Sequence, residues 1–223
     1  MKKESVKNFV YKRITAMGNS LESGKTKADL AQLRRGVGKK PGELPELWGM
    51  IFKDLPEELM SKGNEPSFAE WAIYTALTLF AIHQQGNSES VNSDDSDARF
   101  GRAVRKLVHD EDSAERIRFK LGVVALTDDM AELSYRMKTV IRLLNAENIK
   151  LNYMDLAADL YAFQFESMTD SVRLKWAQDF YRMNKSTEEG KENNNEKISK
   201  SNGSNCLRSN GIKLNSLRWW IFC

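Results

Sequence analysis

The chain of 223 residues carries 34 Lys and Arg against 31 Asp and Glu, a formal charge of +3 that does not by itself suggest a nucleic-acid partner. Two cysteines, Cys206 and Cys223, and two histidines, His83 and His109, exclude a disulfide framework and a Cys/His metal cluster, so neither metal nor cofactor is expected. No apolar run reaches the length of a membrane span, and the N-terminus is charged without an apolar core, so the expected setting is cytoplasmic with no membrane partner.

The distribution of charge says more than its sum. Residues 1–50 hold eleven Lys or Arg against five Asp or Glu, and an acidic run, Glu89 to Asp97, lies mid-chain. Val6, Phe9, Val10, Ile14 and Met17 recur at helical spacing. Thr26 with Asp29 resembles a second helix start, and that helix is expected to end at Gly36.

Next comes the stretch on which the reading turns, Leu33 to Trp48. Gly36 and Gly38 offer left-handed backbone angles that close a helix. Arg34, Arg35, Lys39 and Lys40 crowd around that stop, Pro41-Gly42 makes a turn, and Pro45 opens a short helix expected to bury Leu47, Trp48 and Ile51. A rigid corner with four cations suits phosphate, because clustered cations displace condensed counterions from nucleic acid. Within it, Arg34 falls near the apolar side and suits a structural ion pair, whereas Arg35 points farther round and is freer to meet phosphate.

Pro56 to Leu59 suggests one more turn. Ser67 with Glu70 has the pattern of a capping box and begins the strongest helix, apolar nearly all round to about Gln85 and stopped by Gly86. Asn87 to Asp97 is polar and reads as a mobile loop. Helices are expected over about 98–108, 113–125, 128–145, 153–166 and 170–183, with Asp112/Glu115, Thr127 to Asp129 and Asn152/Asp155 at three of the starts. No segment alternates convincingly as a strand. The expected fold is all-α: two small helical bundles, 1–86 and 98–183, with about eight to nine helices meeting near the 86–97 loop. Residues 184–223 are rich in Asn, Ser, Lys, Glu and Gly and read as a disordered tail. Its apolar end, with Trp219 and Trp220, reads either as a partner-binding peptide or as a non-native end without function.

Catalytic chemistry finds little support. His83 sits inside the apolar helix, and no Ser/His/Asp or Cys/His arrangement can be assembled. Asp94, Asp95 and Asp97 occupy a polar loop, and a phosphate-binding glycine motif is missing. The cations are better placed. On the helix near 98, Phe100, Val104, Leu107 and Val108 form an apolar seam, and Arg99, Arg102, Arg105 and Lys106 fall opposite. On the helix near 128, Leu133, Met137, Val140, Ile141 and Leu144 form the seam, with Lys138 and Arg142 one turn apart outside it. Arg116, on the helix between them, joins the candidates.

The corner resembles the signature of CasB, the small subunit of the type I-E CRISPR surveillance complex Cascade. Further segments follow in the matching order: Tyr11 to Ile14, Thr75 to Gln84, Gly101 to Val104, Arg116 to Phe119 and Trp176 to Tyr181. The resemblance spans about residues 6–183 and implies an enzymatically inert subunit. Such a subunit sits as a pair beside other Cascade subunits, contacts guide RNA and target, and holds the displaced DNA strand. It matches Arg35 to a nucleic-acid contact. The expected interface is therefore Arg35, Lys39, Lys40, Arg99, Arg102, Arg105, Lys106, Arg116, Lys138 and Arg142. With no base-reading motif, contact through backbone and shape is expected. Two other classes are a helical scaffold for acidic proteins that binds no nucleic acid, and a hydrolase of unknown type.

Overall fold

Nine α-helices, three 3-10 turns and one isolated bridge, between Asn92 and Leu151, account for the regular structure of residues 2–182, which this computed structural model describes. The expected tail from Asn184, including Trp219 and Trp220, lies outside the described residues. The helices are α1 (Lys2–Gly18), α2 (Gly24–Arg35), α3 (Trp48–Ile51), α4 (Phe68–His83), α5 (Phe100–Arg105), α6 (Glu111–Ala125), α7 (Met130–Ala146), α8 (Tyr153–Phe163) and α9 (Glu166–Tyr181).

The all-round apolar surface of α4 dictates its place. A helix with no polar face has to be enclosed. Accordingly α1, α2, α7 and α8 all pack on α4, and α1 also lies along α8. Helix α5 packs on α9, and α6 on α7. One apolar cluster runs from Val6 in α1 through Phe80 in α4 to Trp176 in α9. The start of α4 is fixed as expected: Glu70 N donates to Ser67 Oγ at 3.0 Å, and Ser67 N donates to Glu70 Oε2 at 2.6 Å.

Several local expectations are corrected. Gly36 has φ −78°, an ordinary helical angle, so it is not a left-handed stop. It is glycine for want of space: a Cβ there would lie 2.6 Å from Tyr74 Oη and 2.9 Å from Leu47 Cδ1. The left-handed residue is Gly38, at φ 82°. Ser23, not Thr26, precedes α2, and Thr26 is buried with its hydroxyl 2.8 Å from Ser20 Oγ. Trp48 is 51% exposed, because its Nε1 reaches out to donate to Gly42 O at 3.0 Å. Asp110, not Asp112, caps α6, where it accepts from Ser113 N at 2.7 Å. Helix α5 is shorter than expected, since Arg99 is extended and forms its N-cap.

The segment after α4 is also tied down more firmly than its polarity suggests. Val91 N donates to Gln84 Oε1 at 3.1 Å, Leu151 N to Val91 O at 3.0 Å, and Ser93 N to Leu151 O at 3.2 Å.

Candidate nucleic-acid interface

The corner after α2 is built by hydrogen bonds that its sequence does not display. Gly36 N donates back to Leu33 O at 3.0 Å, and Tyr74 Oη, buried under the corner, donates to Gly36 O at 3.0 Å. The left-handed Gly38 then turns the chain against α7, where its N–H donates to Ser134 Oγ at 3.3 Å and its Cα faces the Tyr135 ring. Arg35 leaves this scaffold exposed and makes no ion pair or hydrogen bond with the described residues. Arg34 is half-buried, and the expected ion pair is absent among the described residues; burial lowers its pKa below the usual guanidinium range.

Lys39 and Lys40 are not free point charges. Lys39 Nζ lies 2.6 Å from Glu43 Oε1, and Lys40 Nζ pairs with Glu65. The hydrogen bond from Lys39, with that from Lys40 N, holds the Glu43 carboxyl below its usual range. All four groups of these two pairs are more than a third exposed, where solvent screens such pairs and leaves them weak.

The α5 cations divide. Arg102 does not stand on an outward face. Its side chain is 17% exposed, its Nε lies 3.3 Å from Asp179 Oδ1 of α9, and its other arm pairs with Asp97. Arg99 Nε lies 3.5 Å from Asp155 Oδ2. The same carboxylate, with Asp159, receives Lys175 Nζ at 2.9 and 2.7 Å, and Trp176 Nε1 donates to Asp159 Oδ2 at 2.8 Å. These groups form an ionic belt that ties α5 and α8 to α9. Burial opposes the Lys175 charge, but Asp159 and Asp155 together hold its pKa above the usual lysine value. Arg105 is exposed over the Phe180 ring at 5.8 Å, and Lys106 is exposed without a partner among the described residues.

On α6 and α7 the cations face outward. Arg116 is exposed, with the Asp110 carboxylate in its field. Lys138 Nζ lies 5.5 Å from the Tyr135 ring centroid, and Arg142, one turn on, is exposed and unpaired among the described residues. Since Gly38 bonds to Ser134, and a Cβ at Gly38 would lie 3.6 Å from Tyr135 Cδ2, the corner and the outer face of α7 meet beside that tyrosine.

Three residues of this face were not among the interface candidates read from the sequence: Tyr135, Phe119 and Lys120. They line a cleft of about 270 Å³ between α6 and α7 with Val123, Arg136, Thr139 and Val140. A signal did exist. The buried seam of α6 is Ile117, Leu121 and Val124, and Phe119 lies about 200° round from Ile117 at helical spacing. An aromatic residue there has no core to enter.

The potential catalytic groups serve the fold. His83 Nδ1 lies 3.1 Å from Tyr153 Oη, which donates to Leu79 O at 3.2 Å, and burial lowers the His83 pKa to about 4. His109 is exposed, 2.9 Å from Glu147 Oε2, and that hydrogen bond raises its pKa. Asp95 caps Asp97 N, and Asp97 pairs with Arg102. No group of three or more potential metal ligands occurs among the described residues. No helix there is long and apolar enough to cross a membrane.

Fold and surface together define a class: an all-α protein with α4 enclosed by its neighbours and an outer face of cations and aromatic rings around α7. The chain belongs to the CRISPR-associated protein Cse2 family, whose profile matches residues 29–181. It is similar to the crystal structure of CasB from Thermobifida fusca, with 29% identity and a TM-score of 0.68 over 80% of this chain and 98% of that one. It also shares the fold of M. ruber CasB, at 23% identity and a TM-score of 0.56, over 84% of this chain and 98% of the other. No curated protein sequence matches it.

Proposed function

We propose that this chain is the non-catalytic small subunit of the type I-E Cascade complex in antiviral defence, and that it holds nucleic acid by its phosphates. It works in the cytoplasm as a pair beside other Cascade subunits. There it contacts guide RNA and target and steadies the displaced DNA strand. One observation carries the reading: Arg35, Lys138 and Arg142 project outward without carboxylate partners among the described residues, on a surface that meets at Tyr135. Base pairing reads the sequence in RNA-guided systems, and exchange of one duplex for another is close to balanced, so modest contacts to the freed strand tip it.

The test is filter binding of single-stranded DNA across a salt series, with co-purification alongside Cascade components and guide RNA. A chain carrying Arg35→Gln, Lys138→Gln and Arg142→Gln keeps its helicity. The slope of log affinity against log salt becomes shallower by about 2, three phosphate contacts at roughly 0.7 each. Retention of DNA by the variant at wild-type strength overturns this assignment. Failure of the unaltered chain to retain DNA at any salt supports a protein scaffold instead.

A further inference from the structure

We propose that the cleft between α6 and α7 is a stacking site, in which Phe119 and Tyr135 receive unpaired bases of the single strand whose phosphates the surrounding cations hold. The proposal rests on the nucleic-acid reading and deepens it from charge to base contact. Phe119 is 71% exposed and Tyr135 62% exposed, on facing helices, and both line the same cleft. Two large rings left in water on neighbouring helices are an unusual use of aromatic surface, since each would gain by burial.

Charge selects the occupant. Lys120 and Arg136 line the cleft, Lys138 sits over the Tyr135 ring, and Arg116 stands nearly one turn before Phe119. Against these four stand Glu132, paired with Arg136 at 2.8 Å, Glu115, one turn before Phe119, and Asp110, in the field of Arg116. The surplus is positive, which fits a polyanion bearing flat apolar faces. Single-stranded nucleic acid is that polyanion, and every base offers a π-face, so the site needs no sequence preference. Tyr135 also supports Gly38, which places the phosphate-facing corner beside the rings.

The experiment uses the full chain and two fluorescein-labelled probes of equal length, oligo(dT) and an abasic oligomer with the same phosphates. The unaltered chain binds oligo(dT) more tightly than the abasic strand. Phe119→Ala lowers oligo(dT) affinity by about five- to a hundredfold, leaves abasic binding and the salt slope unchanged, and so removes the preference. Tyr135→Ala acts likewise, and Tyr135→Trp restores the preference with unchanged melting, which separates stacking from support of Gly38. Phe119→Trp adds indole fluorescence to that of the five native tryptophans, and the added signal, read as the difference from the unaltered chain, is quenched by oligo(dT) and not by the abasic strand. Equal affinity of the unaltered chain for both probes overturns stacking and leaves the phosphate reading intact. Absence of binding to either probe overturns both. Loss of self-association in Phe119→Ala with unchanged oligo(dT) binding makes the cleft a protein contact and overturns the proposal.

Discussion

His83 makes the stability of this fold depend on pH in a way that can be isolated. Its ring is enclosed in the core, with Nδ1 3.1 Å from Tyr153 Oη and the Ile149 backbone beside the ring. Burial holds the folded pKa at about 4, against a smaller raising effect from the Ile149 backbone, whereas the unfolded chain titrates near 6.5. Below 6.5 the unfolded state therefore binds a proton that the folded state refuses. Stability is fully present above pH 6.5, falls as pH drops toward 4, and falls no further from this source below that. At 1.36 kcal/mol per unit the loss is about 3 kcal/mol. His109 works in the opposite sense: its pKa is raised by Glu147, so its contribution is present at low pH and fades as pH rises through the folded value. It is exposed and its effect is screened by salt. The assay is urea unfolding by circular dichroism from pH 7 to 4, in a His109→Gln background, with and without His83→Gln. The chain retaining His83 loses about 3 kcal/mol more over that interval than the chain without it. Parallel pH curves for the two would refute the assignment of a buried neutral imidazole.

Four further variants test packing, pairing and capping. Gly101→Ala lowers stability by about 3 kcal/mol, read as a fall in the urea midpoint, because the added Cβ overlaps the Trp176 carbonyl oxygen and lies 2.8 Å from Asp179 Cβ. Arg102→Ala costs about 3–5 kcal/mol in the same assay, since it strands Asp179, whose side chain is only 4% exposed; Arg35→Ala stays within about 0.5 kcal/mol. Ser67→Ala costs about 1 kcal/mol by removing the acceptor for Glu70 N, visible as a lower melting temperature.

What the sequence revealed was governed by local rules. The α4 capping box, the N-caps of α7 and α8, and the buried faces of α1 and α7 depend on residues within one or two turns of each other, and the structure has them as read. Some errors were local, a cap misplaced by two or three residues at Ser23 and Asp110, and the others came from partners more than a helical turn away. Gly36 is set by Tyr74 and Leu47, Trp48 by the Gly42 carbonyl, and Arg102 by Asp179, 77 residues away. Periodicity assigns a cation to a helix face but says nothing of which carboxylate a second helix brings to it. Phe119 and Tyr135 were passed over for a similar reason. The search for a phosphate surface counted charges, and an aromatic residue off the apolar seam carries none.

The ion pairs divide the ten expected cations by how readily each can exchange its partner. A Lys39 or Lys40 ammonium in an exposed, solvent-screened pair gives up little when it turns to a phosphate, and a charge-assisted contact with phosphate is of comparable or greater strength. These two lysines therefore remain usable, with the carboxylates of Glu43 and Glu65 as competitors in the absence of nucleic acid. Arg102 is different. Its departure from Asp179 would leave a carboxylate uncompensated between α5 and α9, a penalty of about 3–5 kcal/mol that one phosphate contact does not offset. Arg99 shares the ionic belt through Asp155 and is restrained in the same sense, though more exposed. Among the described residues, Arg35, Lys106, Arg116, Lys138 and Arg142 have no ion pair to break, and Arg105 lies over the Phe180 ring. The phosphate-binding surface we infer thus centres on the corner and the outer faces of α6 and α7, while the belt through Arg102 keeps α5 and α9 together beneath Arg105 and Lys106.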